Sequence, residues 1–322
     1  MSSRNKGVVL ISILLIVLIL SSVAVLFGNK YLLSLKRAQY AEFQSLSLNA
    51  FRNIESLSKK IIEKEYRYNS NKLSKNNPII NNQILLNIND TQIAGKIVDA
   101  SNCFNINSIV YFRDGNYLEN TKTTEAFRKI MMLYDVDSLI VEEMIDQIID
   151  WIDKDSNPRT YGLEDYYYSG PLHSPREYSG MRLFVLIDEL KSIPSIKEVN
   201  WNIFKNNFCA LPLESDFSIN INTLLKENNY LLAAFFPDID LNDAEYIIDN
   251  IPIEGFENND NFIRAFPDIN LKSSYGKIKY NSNVFELNTT VQHNNFKASS
   301  RSTIIYGSNK NGYIISRTYN GI

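Results

Sequence analysis

Residues 8–27 read VVLISILLIVLILSSVAVLF, twenty positions without a charge, a proline or a glycine. At 1.5 Å per residue the run makes about 30 Å of helix, the thickness of a bilayer's hydrocarbon core. A chain that starts this way is tied to a membrane. A secretory signal peptide would have a shorter apolar region, about 7 to 15 residues, closed by small residues at a cleavage site. No clear ending of that kind follows Phe27, so the segment stays in the mature chain. Arg4 and Lys6 precede it, while Lys30, Lys36 and Arg37 follow it, so charge alone does not fix its orientation.

The basic leader 1–7 ends in Lys6-Gly7, directly before the apolar run. This resembles the type IV pilin signal, which a prepilin peptidase cuts after the glycine on the cytoplasmic side. Gly7 and Val8 then flank the processed bond, and Val8 becomes the first mature residue. An uncleaved single-pass anchor is the alternative. Pilins and most pseudopilins carry glutamate at the fifth mature position, where its carboxylate pairs with a neighbour's N-terminal ammonium inside the bilayer. Here Ser12 stands there. An unpaired charge is costly at that depth, and a chain without the carboxylate lacks one contact of a growing fibre, which suits a special position such as the tip.

Between Lys30 and Tyr68 there is no glycine or proline, and Phe43, Leu46, Ala50, Ile54, Leu57 and Ile61 recur at spacings of three and four. That spacing predicts one apolar face on a helix continuous with the span. Residues 69–83, with Pro78, read as a loop, 93–98 as a strand and 99–102 as a turn. From 103 to 263 the pattern is mostly helical. The tail from Ser274 is strand-like, and Asn311-Gly312 marks a hairpin. A long helix and a little sheet, then helices, then more sheet, imply an α+β domain interrupted by an insertion. Inside it, Asn105-Ile106-Asn107-Ser108 and Asn220-Ile221-Asn222-Thr223 form a weak repeat. In each copy the second asparagine and the hydroxyl residue are suited to cap a helix, so each copy opens a small bundle.

The chain has 33 basic and 36 acidic side chains, a formal charge of −3. A protein tracking phosphates would show a basic excess, so a nucleic-acid partner is not expected. Two histidines far apart, His173 and His293, and two cysteines do not make a histidine or cysteine metal site. The most chemical stretch is acidic. From Asp153 the order D-x-D-x-N with Glu164 in twelfth place repeats the calcium-ligand places 1, 3, 5 and 12 of an EF-hand loop, and Asp165 adds an oxygen. Pro158 stands in sixth place, where an EF-hand needs glycine, so a differently shaped calcium loop is the metal reading. The alternative is that these acids cap helices and solvate a loop. The helix before them should end by Asn157-Pro158. An acid–base pair of Asp153 and Asp155 would suit a membrane-anchored hydrolase, but nothing else marks a substrate cleft. Tyr166, Tyr167 and Tyr168 are read as covering the core.

Together these elements resemble the K-type minor pseudopilin of the bacterial type II secretion system over most of the chain. The resemblance rests on the leader ending at Gly7, on Ser12, on 95–99 and 104–108, and on Asp150-Trp151-Ile152-Asp153-Lys154-Asp155. It rests further on Gly162-Leu163-Glu164-Asp165 with Tyr168, on 188–190, on 210–212 and on 219–223. It implies a pilin-like α+β fold: a long N-terminal helix plus a small antiparallel sheet, interrupted by a large all-α insertion of two SAM-like units. The division is a leader 1–7, a membrane part 8–27, a periplasmic helix 28–68, an α+β domain of 69–102 and 266–322, and an insertion 103–265 with units about 103–210 and 216–265.

The resemblance implies calcium on the insertion, with Asp153, Asp155, Glu164 and Asp165 as candidate ligands. It also implies a non-enzymatic subunit, single-pass in the inner membrane of a Gram-negative bacterium with its C-terminal part periplasmic. That subunit would join I-type and J-type minor pseudopilins at the tip of the pseudopilus that exports folded proteins. In an oxidising periplasm Cys103 and Cys209, each just ahead of a unit opening, can join the two units; two separate buried thiols are the alternative. A minor pilin of a type IV pilus or competence system shares the leader but not the acidic helix end.

Overall fold

The computed structural model describes residues 5–68, 71–212, 216–306 and 311–322. Residues 1–4 of the leader, 69–70 of the predicted loop and 307–310 of the tail hairpin lie outside them. The chain opens with α1 (Asn5–Tyr68), a single helix of 64 residues. The one-turn α2 (Pro78–Asn81), capped by the Asn77 side chain, leads into β1 (Gln83–Ile88) and β2 (Thr91–Asp99). The insertion follows with β3 (Phe104–Asn105), β4 (Val110–Arg113), β5 (Asn116–Glu119), α3 (Thr121–Leu133), α4 (Ser138–Ile152), α5 (Asp165–Tyr168), α6 (Trp201–Asn207) and β6 (Phe208–Cys209). Its second part holds β7 (Ser218–Asn220), α7 (Asn229–Phe235), α8 (Leu241–Asp249), α9 (Asn259–Ala265) and β8 (Lys277–Lys279). The chain closes with β9 (Val284–His293), β10 (Phe296–Tyr306) and β11 (Gly312–Asn320).

Five strands make one antiparallel sheet in the order β1-β2-β9-β10-β11, so the insertion leaves after β2 and returns into the neighbouring β9. The outer part of α1 lies on this sheet, burying Phe43, Phe51, Ile54 and Ile62 against Ile97, Phe285, Leu287 and Ile304. The helix comes so close at Gly95 that a Cβ there would sit 2.8 Å from Ile54 Cγ2, which is why the strand carries glycine.

The apolar face read in the sequence packs on the sheet at Phe43, Ala50 and Ile54, with Leu46 and Ile61 half-buried beside them. Leu57 is exposed, and Ser47, Phe51, Ser58 and Ile62 complete the seam. Two fully buried serines let the helix approach the sheet, and hydropathy alone does not register them as facing inward. Glu55 is also buried here. It accepts from Ser302 Oγ at 2.6 Å, from Arg317 Nε at 2.9 Å and from an Arg317 terminal nitrogen at 3.0 Å, so its charge is paired.

A second, larger core lies within the insertion, which is mostly helical but also carries the β4–β5 hairpin and two short parallel strand pairs. The N-I-N repeat proves to be structural. In each copy the first asparagine, Asn105 or Asn220, caps a short 3-10 helix by accepting from the N–H two residues on. The second is fully buried and does not cap, contrary to the sequence reading. Asn107 Nδ2 donates to Phe184 O and Leu211 O, both at 2.8 Å, and its Oδ1 accepts from Phe184 N at 2.8 Å. Asn222 does the same with Phe256 O (2.8 Å), Tyr280 O (3.1 Å) and Phe256 N (2.6 Å).

Each opening strand pairs in parallel with the strand that closes its unit: β3 with β6, and β7 with β8. The second unit therefore closes near Tyr280, and Phe266, Ile269, Leu271, Tyr275 and Ile278 pack on the insertion core. The sequence division at 265 falls short because a three-residue strand has no periodicity to read. The disulfide joins Cys103 to Cys209 with Cα atoms 5.8 Å apart. It fastens the two ends of the first unit to each other and does not link the two units.

Candidate metal centre

Helix α4 starts where the Asp137 side chain accepts from Leu139 N, and it turns Ile145, Ile148, Ile149 and Ile152 into the core. It stops at Ile152, five residues before Asn157, because the chain turns at once: Asp155 Oδ1 accepts from Asn157 N at 2.8 Å. Asp150 and Asp153 are one turn apart across that helix end. The loop then runs out through Arg159 and back to Glu164, which precedes α5. Arg159 anchors it. Its guanidinium reaches Asp146 Oδ1 at 2.7 Å and Glu119 Oε2 at 2.5 Å, and its backbone N–H donates to Asp150 Oδ2 at 3.1 Å.

The result is a cluster of three carboxylates, Asp150, Asp153 and Glu164, each of which offers one oxygen within 4.8 Å of those of the other two. Asp150 is fully buried and Glu164 nearly so. Burial pushes Asp150 and Glu164 up to about 7 and Asp153 up to about 6, and the mutual repulsion of the group adds to the rise. Asp153 Oδ1 and Glu164 Oε1 are buried with no hydrogen-bond partner among the described residues. Gly162 closes the site, since a Cβ there would fall 1.7 Å from Asp150 Oδ2. An acid cluster with orphaned oxygens, no room for a side chain and only hard ligands fits a divalent cation of the calcium or magnesium class.

Of the four acids singled out in the sequence, the structure brings two together. Asp153 and Glu164, the first and twelfth places, converge. Asp155 is exposed at the rim, close enough for its charge to raise Asp153 and Glu164. Asp165 turns away: its Oδ1 accepts from Ser179 N at 2.7 Å and Ser179 Oγ at 2.8 Å, holding the segment after α5. Asp150 was missed as a ligand because it sits among the isoleucines of an apolar helix. The signal was its spacing of three from Asp153. The three tyrosines divide likewise. Tyr168 is buried edge-on to Trp151 with ring centroids 4.9 Å apart, and Tyr166 is exposed. Asp153 is half-buried and faces Asp150 and Glu164, while Asp155 is exposed.

Residues 102–213, which hold the first unit, its disulfide and this cluster, match the family described as type II secretion system protein K. The chain is 25% identical over 261 residues to the type II secretion system protein K of Aeromonas hydrophila, covering 79% of this chain and 78% of that one. It is 26% identical over 263 residues to the protein of the same name from Pectobacterium carotovorum subsp. carotovorum, covering 80% and 78%. With that of Pseudomonas aeruginosa it shares 30% over 186 residues, 58% of this chain and 51% of the relative. Its fold matches a chain in the crystal structure of the GspK-GspI-GspJ complex from the enterotoxigenic Escherichia coli type 2 secretion system. The TM-score is 0.73 at 21% identity, covering 88% of this chain and 99% of the other.

Proposed function

We propose that the chain, similar over most of its length to type II secretion system protein K of several bacteria, acts as the minor pseudopilin at the tip of the secretion pseudopilus, joined there to I-type and J-type minor pseudopilins. The role is structural, in the export of folded proteins. The observation that carries it is a 64-residue helix whose apolar first part buries nothing within the molecule, mounted with a duplicated helical head whose first unit matches the family model. In this reading prepilin peptidase cuts between Gly7 and Val8, the span leaves the inner membrane for the fibre, and the head faces the periplasm. Ser12 removes the carboxylate by which a further subunit would be joined.

Calcium is the cation proposed for the head, held by Asp150, Asp153 and Glu164, with Asp155 at the rim and Asp165 left to Ser179. The ion supplies positive charge to three buried carboxylates that repel one another. The chain does the rest: Arg159 fixes the loop, Gly162 leaves the space, and Trp151 and Tyr168 seal the helix end against the core. Two measurements test the proposal. Intact mass of the chain made with and without prepilin peptidase should differ by residues 1–7; the same mass in both would remove the pilin-type reading. Co-purification with the I-type and J-type subunits, with calcium and with chelator, tests the assembly.

A further inference from the structure

The anchoring just proposed leaves one charge distribution unexplained. Removal of residues 1–7 takes away Arg4 and Lys6, so no side-chain cation stands before the span, while Lys30, Lys36 and Arg37 follow it. This reverses the usual excess of cations on the cytoplasmic side. Residues 28–46 hold those three cations and a single acid, Glu42, in a chain whose formal charge is −3. All three cations are exposed on α1. The apolar run does not stop at Phe27 either, for Tyr31, Leu32, Leu33 and Leu35 are exposed between them. The sheet meets the helix just beyond them, where Phe296 lies against Tyr40 with ring centroids 6.2 Å apart and stacks on Phe43 at 5.3 Å.

The geometry of a helix fixes where these groups lie. Lys30 is about 5 Å beyond Phe27, and Lys36 and Arg37 are about 14 Å beyond it. Helical side chains lean toward the N-terminus, here toward the bilayer, so the long stems of Lys36 and Arg37 reach back toward a headgroup layer roughly 5 to 7 Å deep. The end of the sheet above them offers little competing negative charge. Lys36 and Arg37 line a groove with His293, Asn294, Asn295 and one acid, Glu42, and the adjoining strand ends present Asn87, Asn89, Gln92 and Gln292 with one acid, Asp90. Phosphodiester anions are the partner this arrangement fits, and continuity with the span puts them in a lipid surface.

We propose that Lys30, Lys36 and Arg37 form a collar that binds the phosphates of anionic phospholipids in the outer leaflet while the subunit waits in the membrane, with Tyr31 and Leu35 in the interfacial layer. The inference rests on the reading of the chain as a membrane-anchored subunit with its head outside. The collar has to release its lipids when the subunit enters the fibre.

The test uses the full-length chain in mixed micelles of equimolar phosphatidylglycerol and phosphatidylcholine, with retained lipids counted by native mass spectrometry. The wild type should keep phosphatidylglycerol over phosphatidylcholine by roughly fivefold or more, the contribution expected of even one cation at an anionic surface. The variant Lys30→Gln/Lys36→Gln/Arg37→Gln, whose sites are all exposed, should unfold at the wild-type temperature and retain the two lipids equally. Equal retention by the wild type, or a preference kept by the variant, would overturn the collar. Displacement of phosphatidylglycerol by millimolar inorganic phosphate at constant ionic strength would overturn it in favour of a free-anion site. A chain that carries neither lipid overturns the anchor reading, and the collar with it.

Discussion

At the scale of single residues, the cluster Asp150, Asp153 and Glu164 makes calcium a stability question. Ligand bound only to the folded state at about a hundredfold above its dissociation constant stabilises by about 2.7 kcal/mol. In a unit of this size that raises the melting temperature by roughly 5 to 10 °C. Asp150→Asn should lose most of that calcium-induced rise in a thermal melt. Asp165→Asn should keep it, because Asp165 is bonded to Ser179. Gly162→Ala should abolish it, the new methyl group falling on Asp150 Oδ2.

The same residues set a pH dependence. Their folded pKa values, about 7 for Asp150 and Glu164 and about 6 for Asp153, lie above the roughly 4 of an unfolded carboxylate. Without calcium the folded state therefore binds more protons, and this contribution to stability is complete below about pH 4 and lost as pH rises through 6 to 7. Calcium requires the ionised forms. The gap between calcium-loaded and metal-free melting temperatures should widen from about pH 5 to about pH 8.

At the scale of elements, the buried asparagines of the repeat carry the closing of each unit. Asn222→Ala would leave Phe256 N and Phe256 O without their partner, while Tyr280 O keeps the Leu73 N–H. At about 1 to 3 kcal/mol for each of the two buried groups left unsatisfied, the cost should be roughly 2 to 5 kcal/mol in chemical denaturation. The disulfide acts on the other unit. Replacing Cys103 and Cys209 by serine reopens a loop of 106 residues, and the loss should be about 2 to 5 kcal/mol, confined to the first unit. Hydrogen exchange resolved by segment separates the two cases, with α3 and α4 loosening in the cysteine variant and α7 and α8 in the asparagine variant.

What was legible in the sequence follows the length of the physical signal. The long helix and most of its buried face show because apolar spacing persists over many turns; the inward Ser47 and Ser58 and the outward Leu57 carry no such signal. The β4–β5 hairpin has its signal in Asp114-Gly115, both with positive φ, but the strands on either side are only four residues long and lie within a mostly helical pattern. The strands of two and three residues that close the units have no period at all. At the candidate metal centre, spacing marks Asp153 and Glu164 and leaves Asp150 only a faint signal three residues before Asp153, whereas Gly162 follows only from the three-dimensional turn.

At the scale of the whole molecule, the shaft and the head meet at the turn after β2 and at Leu73, whose carbonyl accepts from Asn220 Nδ2. Asp99 ends β2, accepts from Ser101 N, and takes hydrogen bonds from Asn220 Nδ2 at 2.9 Å and Thr223 Oγ1 at 2.6 Å. The repeat that opens the second unit is thus held to the strand that packs under α1, so the head is positioned by the shaft. A calcium-braced head on that mount is what the sister subunits would meet. The most direct measurement is the molar mass of the assembly formed when the chain is mixed with purified I-type and J-type minor pseudopilins, read by size-exclusion light scattering. A one-to-one-to-one complex in calcium, weakened by chelator or by Asp150→Asn, is the predicted result. Three separate species in calcium would contradict the account.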